Sequence, residues 1–182
     1  MINLNNLNWQ DILVLCLKKF EYEKAAALYS SLSPVQRIIA AITGRKPKDP
    51  CPDLSSDALA VRYQSAFNKA HRFNGVPFGV RTNINDNDTV HITLRYQAED
   101  RLPVLTATYC EDGTAYVEKA KVFPGGATEK VPVSYPLSEI ALPWIPDRDI
   151  SEVSELKRAF ADALQELSLV VHASGLLHLK AA

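Results

Sequence analysis

Val90-His91-Ile92-Thr93-Leu94-Arg95-Tyr96-Gln97 alternates apolar and polar residues without interruption. A period of two puts Val90, Ile92, Leu94 and Tyr96 on one side of an extended chain and His91, Thr93, Arg95 and Gln97 on the other. That is the pattern of an antiparallel strand with one buried and one solvated face. Residues 102–111 and 114–123 read as two further strands, separated by the hairpin signal Asp112-Gly113. Residues 131–135 add a short strand, which Pro132 assigns to a sheet edge because proline cannot donate to a ladder.

Turn geometry then sets a register. A two-residue turn at Asp112-Gly113 pairs Glu111 with Thr114, Tyr109 with Tyr116, Thr108 with Val117 and Ala107 with Glu118. A four-residue loop at Ala98-Glu99-Asp100-Arg101 pairs Gln97 with Leu102 and Leu94 with Leu105. Both registers place Val90, Ile92, Leu94, Tyr96, Leu105, Ala107, Tyr109, Tyr116, Ala120 and Val122 on the core face. The other face then carries His91, Thr93, Arg95, Thr106, Thr108, Lys119 and Lys121, a basic, threonine-rich surface. Phe123, its one aromatic, lies at the end, so base stacking of the RNA-recognition type has little support. Glu118 falls on the core face, where it reads as a rim residue or the partner of a helix cation.

Helices flank this meander. Asn8 is a suitable N-cap for a helix to about Ser31, with Ile12, Leu13, Cys16, Leu17 and Phe20 as its apolar stripe. The more charged pattern from Phe20 to Lys24 also allows a break there. Ser33-Pro34-Val35-Gln36 combines an N-cap, proline at the first helical position and glutamine at the third, and Gly44 stops the helix that follows. Residues 45–53 form a proline-rich linker. A third helix, capped by Ser55 or Ser56, carries Leu59, Tyr63, Ala66, Phe67 and Ala70 on one face, with Asn74-Gly75 as its stop. A final helix from about Ile150 to Ser174 has Val153, Leu156, Phe160, Leu164, Leu167 and Val171 at helical spacing and ends at Gly175. The expected architecture is one α+β domain over residues 1–182. It has N-terminal helices (1–44), the linker (45–53) and a helix, meander and C-terminal helix (54–182), with three to five strands and the last helix on the apolar sheet face.

Composition narrows function more by exclusion than by indication. The 182 residues hold 20 Lys+Arg and 21 Asp+Glu, a formal charge of −1, with 47% hydrophobic and 23% charged residues. That balance excludes a wholesale electrostatic nucleic-acid binder. The charge is nevertheless uneven: residues 1–75 hold 10 Lys+Arg against 6 Asp+Glu, and residues 76–148 hold 7 against 10. No apolar run reaches the ~20 residues of a membrane span, no secretory signal is recognisable, and the three cysteines form no C-x-x-C pair. A reducing cytoplasm is the expected compartment. Cys16 reads as a small core hydrophobe, and Cys51, between two prolines, as the more exposed thiol.

Catalytic and metal motifs are missing at the sequence level. Asn83-Ile84-Asn85-Asp86-Asn87-Asp88-Thr89 lacks the Gly and Glu of a calcium loop, and Pro124-Gly125-Gly126 lacks phosphate-loop spacing. His172 and His178 have no ligand partner at metal spacing, and no nucleophile elbow occurs. We therefore expect no cofactor. The first expectation is a non-catalytic interaction or regulatory protein, such as an inhibitor, that binds an acidic macromolecular partner through His91, Arg95, Lys119 and Lys121. Trp144, held in Leu142-Pro143-Trp144-Ile145-Pro146, is a candidate anchor. The second is a nucleic-acid binder using the same face plus Arg62, Lys69 and Arg72 on the third helix. The third is a small enzyme with a pocket around His91, Glu118 or Tyr116. The apolar tail Leu176-Leu177-His178-Leu179 suits docking on the body or on a second copy, which would make a homodimer.

Overall fold

A computed structural model of the chain describes residues 6–84, 90–97, 105–110, 115–119, 129–133 and 150–174. It is a mixed α+β protein: helices α1 (Trp9–Ser31), α2 (Pro34–Ile42) and α3 (Ser56–Ala70), strands β1 (Arg72–Phe73), β2 (Val76–Pro77), β3 (Gly79–Ile84), β4 (Val90–Tyr96), β5 (Leu105–Cys110), β6 (Ala115–Lys119) and β7 (Glu129–Val133), and helix α4 (Ile150–Ser174). The chain divides into two compact units, Met1–Tyr63 and Gln64–Ala182. The division falls within α3 and not in the proline-rich linker.

In the first unit, Asn8 caps α1 by accepting from the Asp11 N–H at 2.8 Å, and the helix continues unbroken through Phe20–Lys24. Its buried residues, Trp9, Ile12, Leu13, Leu15, Cys16, Leu17 and Lys19, all lie in the first half. The linker is held down because Lys19, only 5% exposed, donates to both Asp49 carboxylate oxygens at 2.8 and 2.6 Å and to the Cys51 carbonyl at 3.0 Å. This reverses the expected exposure of Cys51, which is buried. Burial pushes the Asp49 carboxyl up, but hydrogen bonds from Lys19 and the Cys51 N–H outweigh that and hold it below its ordinary value. Ser55 is the N-cap of α3, accepting from the Ala58 N–H at 3.2 Å. Ser56, one residue on, donates its hydroxyl to Glu23 at 2.7 Å. Cys16 is a core thiol beside the Ser56 carbonyl, and burial, reinforced by Glu23 and Asp57, pushes it up to about 12.

In the second unit, α3 ends at Ala70 and the chain enters a small hairpin, β1 against β2. Asn74-Gly75 is therefore a hairpin turn and not the stop of the third helix. Its φ values of 47° and 79° are the paired positive angles of a type I′ turn, which Asn-Gly adopts with little strain. Asn74 also donates to Glu152 in the first turn of α4 at 2.7 Å. The larger sheet has the order β3-β4-β5-β6-β7, all antiparallel, with β7 and its Pro132 at the edge. Val80, Ile92, Leu94 and Tyr96 are buried, as are Leu156, Phe160, Leu164, Leu167 and Val171 of α4. Phe78 makes edge-to-face ring contacts with Tyr96 at 5.3 Å and with Phe160 at 5.7 Å. Among the described residues no helix is long and apolar enough to cross a membrane.

Two titratable groups yield stability predictions. Removing Asp49 leaves the Lys19 ammonium buried without its counter-charge, whereas removing Lys19 leaves a carboxylate nearer to solvent. Asp49→Ala is therefore expected to lower the urea midpoint more than Lys19→Met; the reverse order would contradict the assignment. His71 stacks on Phe67 with ring centroids 4.1 Å apart and lies 3.4 Å from Glu166. Burial lowers its pKa below the ordinary 6.5, against the upward pull of Glu166. The folded state thus prefers neutral His71, so its contribution is complete above about pH 6.5 and is lost as pH falls through the lowered folded-state value. His71→Gln should flatten the fall in urea midpoint between pH 7 and 5.5; an equally steep fall in the variant would sink this account.

Candidate functional site

The basic sheet face is partly dismantled by the observed ladder. β4 and β5 pair Leu94 with Ala107 and Tyr96 with Leu105, two residues from the expected register. A slip of two preserves which side each residue takes. β5 and β6 instead pair Tyr109 with Ala115, Thr108 with Tyr116 and Ala107 with Val117, one residue from expectation. An odd number of residues separates Tyr109 from Ala115, whereas a two-residue Asp112-Gly113 turn needs an even one. Because side chains alternate with period two, that single-residue slip exchanges the faces of β6. Lys119 shares the register face of Val117, Ala107 and Leu94, opposite Glu129. Glu118 and Tyr116 move to the face of Thr108 and Thr93, and Glu118 pairs with Lys130.

Of the other candidates on this face, Arg95 is exposed and His91 and Thr93 are half-buried, while Thr108 is buried. The sequence reading missed Arg81, which is exposed and pairs with Thr93, diagonal to Arg95. The missed signal was strand β3 itself, whose alternation in Gly79–Ile84 is weak. Lys121 and Trp144 lie outside the described residues, as does the apolar tail. Arg62 and Lys69 are exposed on α3. Arg72 is exposed but belongs to β1, because the helix ends two residues earlier; its guanidinium reaches the Gly75 carbonyl at 3.5 Å. Of the enzyme candidates, His91 is on β4 and Tyr116 and Glu118 are two strands away on β6, and the observed register places all three on one face instead of on opposite faces. Among the described residues no group of three or more His, Cys, Asp or Glu could hold a metal ion.

A different surface is the more distinctive one. From Phe20 to Pro50 no residue is buried, and this stretch contains the second half of α1, α2 and the beginning of the linker. Val35, Ile38, Ile39 and Ile42 occupy successive i, i+3, i+4 and i+7 positions of α2, yet are 66, 60, 56 and 81% exposed, and Leu28 of α1 is 71% exposed. Between the two helices lies a cleft of about 420 Å³. Ala25, Leu28 and Tyr29 form one wall, Gln36, Ile39, Ala40 and Thr43 the other, with Arg45 and Pro47 at one end.

Local chemistry holds this hairpin of helices in place. The Ser33 N–H donates to the Gln36 side chain at 2.9 Å and the Gln36 N–H donates back to Ser33 Oγ at 3.4 Å, a reciprocal capping box with Pro34 behind it. At the other end Gly44, at φ 72°, lets the Arg45 N–H reach the Ala40 carbonyl at 2.7 Å and the Gly44 N–H reach Ala41 at 3.3 Å. These are the two bonds of a Schellman stop. Tyr29 fastens the helices together, its hydroxyl donating to the Arg37 carbonyl at 3.1 Å. Between Lys24 and Asp49 the sequence contains Arg37, Arg45, Lys46 and Lys48 and no Asp or Glu. The surface is thus an apolar face and cleft whose own segment, residues 25–48, carries cations and no carboxylate.

If the apolar face of α2 has no structural role in the isolated chain, replacing its outermost residues should leave stability nearly unchanged. Ile38→Gln/Ile42→Gln is expected to shift unfolding free energy by no more than about 0.5 kcal/mol per site and to reduce binding of an apolar fluorescent dye. A large loss of stability would show that the face is packed. No known protein family, curated protein or solved structure matches the chain.

Proposed function

We propose that this chain is a non-catalytic interaction protein that docks an acidic protein partner on the α1–α2 hairpin of its first unit. The observation that carries this reading is the exposed apolar stripe of α2, next to an apolar cleft. Burying a Val or Ile side chain contributes about 1.5–3 kcal/mol, and a nine-residue helix is marginal in water unless a face is packed. A capped, tethered helix that presents such a face to solvent is suited to burying it against another molecule. The cations Arg37, Arg45, Lys46 and Lys48, unaccompanied by carboxylates, favour an acidic partner and repel a basic one.

Several finer expectations accompany this reading. Free, buried Cys16 and Cys51 are consistent with a reducing cytoplasm. The Phe160–Phe78–Tyr96 contacts support placing α4 on the apolar sheet face. Arg81 and Arg95 keep a basic sheet face available as a second anionic contact.

The test is affinity capture on the full chain from native lysate after nuclease treatment, followed by mass spectrometry. A partner retained by the wild type and by Arg81→Glu/Arg95→Glu, but lost with Ile38→Gln/Ile42→Gln, is the expected result. Loss only with the arginine variants would transfer docking to the sheet face. Capture that disappears with nuclease treatment would favour the nucleic-acid reading through Arg62 and Lys69.

A further inference from the structure

We infer that the occupant of the α1–α2 hairpin is a single amphipathic α-helix of the acidic partner. It seats a large apolar side chain in the cleft beside Tyr29 and presents carboxylates to Arg45, Lys46 and Lys48. The inference rests on the docking reading above and adds the partner's secondary structure.

Shape excludes two simpler occupants. A small apolar ligand could fill the cleft of about 420 Å³ but would leave Val35, Ile38 and Ile42 in water. A lipid surface could cover that exposed stripe but has no protruding side chain to enter a cleft between two helices.

Backbone chemistry separates the peptide classes. An added strand gains affinity from main-chain bonds to a free sheet edge. Here both walls are helices, and at the ends of α2 the Ser33 and Gln36 N–H groups and the Ala40 and Ala41 carbonyls are taken up by its capping box and Schellman stop. A proline-rich segment docks in an aromatic-lined groove, and among the described residues Tyr29 is the single aromatic side chain lining this one. A helix needs only an apolar ridge that fits between two others, and the two turns from Val35 to Ile42 provide the facing stripe.

Charge selects against a second copy of the chain. A symmetric pairing through this face would set it against its own copy, whose residues between Lys24 and Asp49 offer no carboxylate to offset Arg37, Arg45, Lys46 and Lys48. A helix with Glu or Asp flanking its apolar stripe meets the same residues with opposite sign.

The experiment selects the full-length chain against two displayed peptide libraries. The first carries varied large apolar residues at i, i+3, i+4 and i+7 with Glu and Asp elsewhere. The second is identical except for proline at two central acidic positions, which prevents a helix. Enrichment from the first library alone, with affinity reduced roughly tenfold or more by Ile38→Gln/Ile42→Gln, is the expected result. Equal enrichment from both would overturn the helical occupant while leaving acidic docking intact. Enrichment from neither, or binding indifferent to the isoleucine variant, would overturn both. Parallel sedimentation with phosphatidylserine vesicles and of the chain alone tests the other occupants. Vesicle binding or self-association lost in the isoleucine variant, without peptide enrichment, would assign the face to lipid or to a second copy.

Discussion

Lys19 stands in the middle of α1, buried, with a charge that the interior cannot accommodate alone. Asp49 and the Cys51 carbonyl neutralise it and complete its hydrogen bonds, and they come from a segment 30 residues further along the chain. This contact closes residues 20–48 into an excursion with a fixed base. The Glu23–Ser56 bond adds a second fastening and starts α3 from the same base. The cleft and the apolar face of α2 both lie within that closed excursion.

The excursion is built in an economical way. α2 has no buried residue, and its caps, its proline and the Tyr29 hydroxyl supply what packing does not. An N-cap is worth about 1 kcal/mol, less than the burial of one isoleucine. Such a helix can persist with its stripe in water, but it keeps a large unused capacity for burial. The second unit is the opposite case: Phe78, Tyr96 and Phe160 are buried, and Phe78 is in ring contact with each of the other two. Among its described residues, Arg81 and Arg95 are exposed on one sheet face.

Much of the fold was legible because it rests on local rules. The α2 capping box, the Asn8 cap, the bounds of α4 and the edge position of Pro132 follow from side-chain reach and from the geometry of proline. Errors arose where a distant or longer-range constraint intervened. Asn74-Gly75 served a hairpin because β1 and β2 pair across it. Cys51 was buried by a lysine 32 residues away. The β5–β6 register moved by one residue, and that alone removed Lys119 from the face of Arg95 and put Glu118 there.

The candidate site illustrates the same division. The sequence by itself determined that residues 34–42 form a capped helix with a four-residue apolar stripe, and that no carboxylate accompanies the cations between Lys24 and Asp49. Periodicity cannot say whether a stripe faces a core or water, since both arrangements have the same spacing. Only the tertiary structure decided that. There the chain leaves α2 and returns to α1 at the Lys19–Asp49 pair, and Val35, Ile38, Ile39 and Ile42 are exposed beside an open cleft.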